Sequence, residues 1–511
     1  MAEPQDVEQC VLMDVEPGSG GSVRPRRPVV KTFRRYDQDQ PMLLAPDLRD
    51  WLPGDHPARW VDDLVEHGLD LTAFFDDYTV ARGAPPYDPR LMVKLLIYGY
   101  SNGVTSSREL ERRCHHDVAF MFLSAQAAPD FVAISRFRKR HVKAFAALFT
   151  QALGLCAQAG LVSLGRVALD GSKVRASASR HRAMSYDRMV RAEGELAAEV
   201  QALLADAERA DAAEDAVHGD RRGDELPAEL ARREGRLAAI RRARADLESE
   251  HEAKARAKAE QDAAGRGADG SEQAAAGELA EGAAVVPGKA QRSFTDPDAR
   301  IMKTSDGSFH YCYNAQTVVD EGSQVILSTA LVASGADSPE LPGALAGLAD
   351  SLAAAGIEGL PRTLLADAGY FSAGNVTAVT EAGIDPLIAT GRQRHGEETP
   401  AAPRGRIPKD LTPRQRMTRR LHTKKGRADY ARRKAIVEPV FGQMKTVQHA
   451  GQLRLRGLDN VQGEWTLQAL CHNTRKDKGP TPTPRPRPDP NQYRHAHLGR
   501  EEAPSEQRCS P

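Results

Sequence analysis

The sequence predicts an α/β protein: a mixed-sheet domain interrupted by a helical coiled-coil insertion and preceded by an all-helical N-terminal domain. Three observations predict it. Short apolar runs alternate with helical patterns after about residue 160. A stretch from about 185 to 260 is dominated by Ala, Glu, Arg and Asp, with apolar residues at spacings of three and four. Everything from about 33 to 160 reads as helix and breaks.

Taken in order, residues 1–32 are polar with Gly, Pro and Ser, and disorder is expected there. In the helical domain, 33–160, Leu91, Leu95, Leu96 and Tyr98 fall near one helical face. Pro89 opens that helix and Ser101-Asn102-Gly103 stops it. A second helix starts near Ser106-Ser107. After the break at Ala128-Pro129-Asp130 a third starts near Val132, with Ser135, Arg136, Arg138, Lys139 and Arg140 expected on its exposed side. Leu161 to Leu169 changes to β character and reads as a buried strand ending at Asp170-Gly171.

Residues 181–292 form the insertion. Leu196, Val200, Leu203 and Ala207 repeat helically, as do Leu226, Leu230, Leu237, Ile240 and Leu247 after a break at 219–223. This is a protein-interaction arm or a solvated hairpin packed on itself, and 261–290 reads as a linker. The α/β domain, begun at 161–180, resumes over 293–476. Strands are expected at Phe309–Val319, Val325–Val332, Thr363–Ala366 and Ile384–Ala389, with helices at Leu341–Ala355 and Ala373–Ala382 between them. A basic loop then leads into a long helix holding Ile436, Val437, Val440, Phe441 and Met444. The Pro- and Arg-rich tail, 477–511, is expected to be disordered.

Charge bounds the function. Lys and Arg number 70 and Asp and Glu 70, which excludes a wholesale nucleic-acid coat protein but not a DNA enzyme with segregated charge. The six cysteines lack paired spacing, so neither a zinc site nor a disulfide framework is expected. His115, His116, His141 and His472 lack metal-ligand spacing as well. No signal peptide and no apolar stretch of ~20 residues stands out. A soluble cytoplasmic protein with no membrane partner follows as the expectation.

Phosphodiester chemistry brings a negative nucleophile to an anionic phosphate, a problem that divalent ions held by a few rigid carboxylates solve. Asp170 and Asp367 each end an apolar run and are followed closely by Gly171 and Gly369. Each is also readable as an ordinary strand-end turn. Glu438 lies among apolar residues, next to Pro439, which suggests a kink or a fresh first turn. Tyr430, Lys434 and Glu438 share a helical face, which a surface ion-pair ladder would also explain.

These residues carry a resemblance. The segment Tyr430-Ala-Arg-Arg-Lys-Ala-Ile-Val-Glu438-Pro-Val-Phe-Gly-Gln-Met-Lys445 closely resembles the third-acid signature of bacterial insertion-sequence transposases of the DDE type. Leu169 to Ser179 resembles the first-acid motif and Ala366 to Phe371 the second. Thr295 to Arg300 and Tyr313 to Gln316 resemble the linking strands, and Tyr98 to Glu109 with Ile134 to Arg138 the N-terminal domain. The nearest group is the insertion sequence eleven-eighty-two family, related to the insertion-sequence-four and insertion-sequence-five groups. The resemblance spans roughly 33–180 and 293–476. It implies an RNase H-like catalytic domain in which Asp170, Asp367 and Glu438 hold two Mg²⁺ ions, with Mn²⁺ able to substitute. It also implies double-stranded DNA, both element ends and target, as substrate. One departure concerns Arg433: four residues, not three, separate it from Glu438, and Lys434 would restore that spacing at the cost of the Arg.

Tyr430, Arg433 and Lys445 are the expected DNA contacts at the site. Ahead of them a run from Arg404 through Arg406, Lys409, Arg414, Arg416, Arg419, Arg420, Lys424 and Lys425 to Arg427 is a phosphate-binding surface or a solvated charged loop. The helices around Arg108–Arg113 and Ser135–His141 form either a helix-turn-helix, presenting Arg136, Arg138 and Lys139 to a groove, or packed helices with a basic face. Asp130, Asp296 and Asp337 are loop-borne and rank below the three acids. Synapsis of two ends implies a homodimer or higher oligomer, and DNA implies association with the nucleoid. The alternatives are a metal-dependent nuclease without strand transfer and a non-catalytic DNA-binding derivative.

Overall fold

The computed structural model describes residues 47–78, 86–179, 183–218, 228–265, 270–391, 401–405, 408 and 410–476, with backbone alone over 206–218, 228–231, 261 and 264–265. The segments 1–32 and 477–511 and the break at 219–223 lie outside the described residues. The unit Met1–Trp51 holds one helical turn, α1 (Leu48–Trp51). All other elements belong to the unit Leu52–Pro511.

Eight helices α2–α8 and α16 surround one face of a mixed sheet: α2 (Pro57–Asp63), α3 (Thr72–Phe75), α4 (Pro89–Ser101), α5 (Ser107–His116), α6 (Val118–Leu123), α7 (Phe131–Arg140), α8 (Val142–Gln158) and, at the far end of the chain, α16 (Leu458–Lys476). Pro89 stands at the start of α4 and the Asp88 carboxylate accepts from Arg90 N at 2.8 Å, so the start and stop read from the sequence are those observed. Met92 to Ser101 are all buried, so α4 is enclosed on every side. The N-terminal helices do not form a core of their own. Leu95, Leu110 and Phe145 belong to the same apolar cluster as Tyr313 of the sheet and Trp465 of α16.

The sheet runs β1 (Arg166–Arg175), β4 (Arg300–Lys303), β5 (Phe309–Asp320), β6 (Ile326–Val332), β7 (Thr363–Ala366) and β8 (Asp385–Ile388). Its order is β4-β5-β1-β7-β8, with β6 also paired to β5. β1 lies antiparallel to β5 and parallel to β7, which is parallel to β8. β4 and β6 lie end to end along the outer edge of β5. Helices α12 (Leu341–Ala354) and α13 (Ala373–Glu381) link β6 to β7 and β7 to β8. The strand expected to end at Asp170 does not end there: β1 continues to Arg175, because the long β5 pairs with it from Val167↔Asp320 to Arg175↔Cys312.

α16, which the sequence reading left without an element, covers the β6 edge. Its amides replace the missing neighbour strand. Asn473 accepts from Ile326 N and donates to Ile326 O, each at 2.8 Å. Gln462 accepts from Leu331 N at 2.5 Å, and Trp465 Nε1 donates to Thr329 Oγ1 at 2.7 Å. An edge closed in this way offers no template for another chain.

The insertion leaves and returns through a two-stranded ribbon, β2 (Ala183–Ser185) with β3 (Gln291–Ser293), paired from Ala183↔Ser293 to Ser185↔Gln291. Beyond it, α9 (Tyr186–His218) and α10 (Ala228–Gly265) pack through Met189, Leu196, Val200, Leu237, Ile240 and Leu247. Glu193 pairs with Arg241 and Arg244, and Glu199 with Arg233, which sets the two helices antiparallel. The expected linker is partly helical instead. α11 (Gly270–Gly282) packs on α10, consistent with a segment rich in Ala and Glu. Among the described residues no helix is long and apolar enough to cross a membrane.

Two further helices complete the sheet's α16 side, α14 (Pro413–Leu421) and α15 (Lys424–Thr446). α14 lies in the stretch read as a basic loop and starts with a capping box between Thr412 and Gln415. α15 runs unbroken through Pro439. A proline cannot donate to the carbonyl four residues back. Here the Gln324 amide supplies that bond, donating to Ala435 O at 3.0 Å. Gln324→Ala should therefore cost about 1 kcal/mol in urea unfolding, and much less in a Pro439→Ala background, where the backbone N–H serves the same carbonyl.

Glu250 of α10 ties the insertion to its base, accepting from Arg292 and Arg300 at 2.6 Å each. Burial alone would raise its carboxyl, but Lys254 and Arg300 hold it down to about 2. The contribution of this clasp is complete above the ordinary Glu range near 4.5 and is lost as pH falls toward 2. Hydrogen exchange of α10 should accelerate over that interval, and Glu250→Gln should remove this pH dependence.

Candidate active site

Asp170 and Asp367 are brought together by strand register. β1 and β7 are parallel, Leu169 pairs with Ala366, and each acid is the next residue. At that level Leu169 and Ala366 point into one apolar cluster. The alternation of a strand turns the two acids to the opposite face, the one α15 covers. β7 stops at Ala366, and Asp367 caps the turn Ala368–Tyr370, accepting from Gly369 N at 2.8 Å.

Arg433 of α15 meets these acids. Its Nη1 donates to Asp170 Oδ2 at 2.9 Å, and Asp170 Oδ1 accepts from Gly171 N at 2.9 Å. Burial pushes the Asp170 carboxyl above its usual range, Arg433 opposes the rise, and the nearby Asp367 adds to it. Burial likewise raises the Tyr430 hydroxyl, with Arg433 opposing. Tyr430, Arg433, Asp170 and Asp367 thus form one group. The unusual spacing leaves Arg433 at the acids, while Lys434, one residue on, is exposed.

Lys445 is anchored farther along β1, donating from Nζ to Ser172 Oγ at 2.6 Å. Burial holds its ammonium below the usual lysine range. Glu438 stands on α15 between these two anchors, five residues after Arg433 and seven before Lys445. It is exposed rather than set in an apolar face, because the apolar side of α15 is carried by Ile436, Val437, Val440 and Phe441. Among the described residues no three His, Cys, Asp or Glu side chains form a group that could hold a metal ion.

The chemistry of the paired acids nevertheless fits a divalent cation. Asp170 and Asp367 are hard oxygen donors on neighbouring central strands, their mutual repulsion is relieved by positive charge, and a guanidinium already meets one of them.

Asp337 was ranked below the three acids, yet from the loop between β6 and α12 it reaches the backbone beside both aspartates, on the face of β1 opposite the Asp170 side chain. A Cβ added to Gly171 would lie 2.7 Å from Asp337 Oδ1, and one added to Gly369 3.2 Å from Oδ2. Gly171 is therefore explained by close approach and not by backbone turning, and Gly369 is crowded by Asp367 Oδ1 at 3.0 Å as well as by Asp337. They were the sequence signal for Asp337. Asp130 caps α7, and Asp296 is buried, accepting from Tyr313 Oη at 2.8 Å.

The basic surface is only partly as expected. Arg414 and Arg416 are exposed on α14, and Arg414 lies over the Phe371 ring at 5.7 Å, next to the Asp367 turn. Arg420 is taken by Asp385. Arg406 and Lys409 lie outside the described residues. On α7, Arg136 and Lys139 are exposed, but Arg138 is buried. Arg138 falls on the face of Ile134 and Phe137 and donates to Tyr100 Oη at 2.5 Å and Thr105 O at 2.9 Å. Tyr100 in turn donates to the buried Glu464 of α16 at 3.2 Å. α6 also intervenes between α5 and α7, so the two do not form a helix-turn-helix joined by a short turn.

Residues 46–140 match the family model described as Transposase domain (DUF772), and residues 285–474 match that described as Transposase DDE domain. Two separate stretches of the chain thus match transposase models. No curated protein and no solved structure matches. The DDE domain match takes in Asp337, Asp367, Arg433, Glu438 and Lys445, while Asp170 lies on the chain segment between the two transposase domains. DDE transposases use divalent metal ions, typically Mg²⁺, and bind DNA.

Removing Arg138 should act on folding. Arg138→Ala should lose about 2–3 kcal/mol in chemical unfolding, since it removes the buried donor to Tyr100 Oη and Thr105 O. Arg136→Ala and Lys139→Ala should leave the unfolding midpoint unchanged.

Proposed function

We propose that this chain is an insertion-sequence transposase that binds terminal inverted repeats, cleaves DNA phosphodiesters and joins the freed 3′-hydroxyl ends to target DNA. The observation that carries the reading is the register of β1 and β7, which sets Asp170 and Asp367 side by side at the middle of the sheet, in a chain whose residues 285–474 match the Transposase DDE domain. The strand order supports an RNase H-like domain: three antiparallel strands, β6, β5 and β1, continued by two parallel ones, β7 and β8. The motifs favour the eleven-eighty-two family of insertion sequences, related to the four and five groups.

Asp170 and Asp367, with Glu438 brought in from α15, would hold two Mg²⁺ or Mn²⁺ ions. Bound there, the ions supply activation of the attacking oxygen and stabilisation of the leaving one. The chain's own residues do the rest. Arg433 balances the Asp170 charge in the free protein and is within reach of a phosphate once Asp170 has another cation. Tyr430 buttresses that guanidinium. Lys445, pinned on Ser172, and the exposed Arg414 and Arg416 offer phosphate contacts on either side of the acids. Arg136 and Lys139 are left to read or track the element end. Synapsis of two ends calls for a homodimer or higher oligomer, and DNA binding for association with the nucleoid.

The test is Mg²⁺-dependent cleavage of the element's terminal DNA by the full chain beside Asp367→Ala. Cleavage in the native protein and a loss of at least a hundredfold in the variant is expected. DNA binding without cleavage, equal in both proteins, would move the chain to a non-catalytic DNA-binding role.

A further inference from the structure

We infer that Asp337 is a positioning residue of the acidic site, fixing the carboxylates of Asp170 and Asp367 through the polar network it gathers between β1 and the turn after β7. The inference rests on the reading of those two acids as metal-holding groups. It adds a residue that belongs to none of the three acid motifs.

The geometry is specific. Asp337 Oδ1 accepts from Asn314 Nδ2 at 2.7 Å, from Gln316 Nε2 at 3.1 Å and from Lys173 Nζ at 3.4 Å. Asn314 and Gln316 stand on β5 opposite Lys173 and Gly171 of β1. The Gln316 amide is used from both ends, because its Oε1 accepts from the Tyr370 hydroxyl, three residues after Asp367. One carboxylate therefore connects the strand that carries Asp170 to the turn that carries Asp367. The other oxygen, Oδ2, lies against Gly369 inside that turn.

Steric and electrostatic facts agree with this placement. Gly171 sits in a regular strand and Gly369 in a short turn, and neither has a positive φ. A side chain at Gly171 would meet Asp337, Asn314 and Gln316, and one at Gly369 would crowd Asp367 Oδ1 and Asp337 Oδ2. Burial pushes the Tyr370 hydroxyl up, and Asp337 adds to the rise. Lys173 is the cation that Asp337 holds beside the site, as Arg433 is the one held by Asp170. A carboxylate with these partners orients its neighbours, as outer groups around metal ligands do.

The test measures Mn²⁺ binding to the full chain by calorimetry, without DNA, for the native protein, Asp170→Asn and Asp337→Asn, with a thermal melt of each. Native binding that is abolished in Asp170→Asn and weakened on the order of tenfold in Asp337→Asn, with an unshifted melt, is expected. Should Asp337→Asn fail to fold, Tyr370→Phe cuts the same network at its far end, and the same direction of change is expected. Unaltered Mn²⁺ affinity in the folded variant would overturn the role of Asp337 and leave the reading of the acids intact. No Mn²⁺ binding by the native protein would overturn that reading and this inference together.

Discussion

Two carboxylates set side by side repel each other, and the parallel register of β1 and β7 imposes that arrangement on Asp170 and Asp367. Much of the surrounding structure answers this constraint. α15 supplies Arg433, and the helix is held along the sheet at several points. Arg166 at the start of β1 takes Asp429 at 2.8 Å, Gln324 completes the turn broken by Pro439, and Lys445 reaches Ser172. Arg166 and Arg432 share Glu321 at the end of β5, so the same turn fixes both strand and helix. A helix held so firmly can keep a cation against a partly buried acid without the entropy cost of a free side chain.

The second organising element is α16. From Val461 to Thr474 nearly every side chain is buried, and the polar ones close the β6 edge or meet the helices before the sheet. Glu464 accepts from Arg454 N and Leu455 N as well as from Tyr100, whose hydroxyl also takes Arg138. This network joins α4, α7 and α16, so the segment matched by the first transposase domain and the end of the second share one interior. Polar networks of this kind tie a core together, although here the buried Arg138 Nε has no hydrogen-bond partner.

The strands and the two aspartates were legible because β5 to β8 are bounded apolar runs with turn residues between them, as at Asp320-Glu321-Gly322. α16 was not, since Gln462, Glu464, Gln468, His472 and Asn473 interrupt the apolar period of a helix that is nonetheless enclosed. Arg138 was misread for a related reason. An arginine at a core position looks exposed until its acceptors, Tyr100 and Thr105, are brought to it by folding. Glu438 has the opposite history: its flanking apolar residues suggested a buried face, but the helix turns it outward. Asp337 left only an indirect trace, two glycines whose reason lies more than thirty residues away in each case or across the sheet, where no periodicity can point.

The ribbon of β2 and β3 has a consequence for how this protein can change over generations. Entry and exit of the insertion are cross-strand neighbours, so the chain leaves and rejoins the main domain at one place, whatever the length of chain beyond. The helices past that ribbon have their own apolar cluster and a separate clasp at Glu250. That clasp reaches the sheet at β4 and not at β1 or β7, so mutations that lengthen or shorten the arm beyond Glu250 leave the register that aligns the acids in place. The arm is free to diversify at a rate that the site itself cannot tolerate.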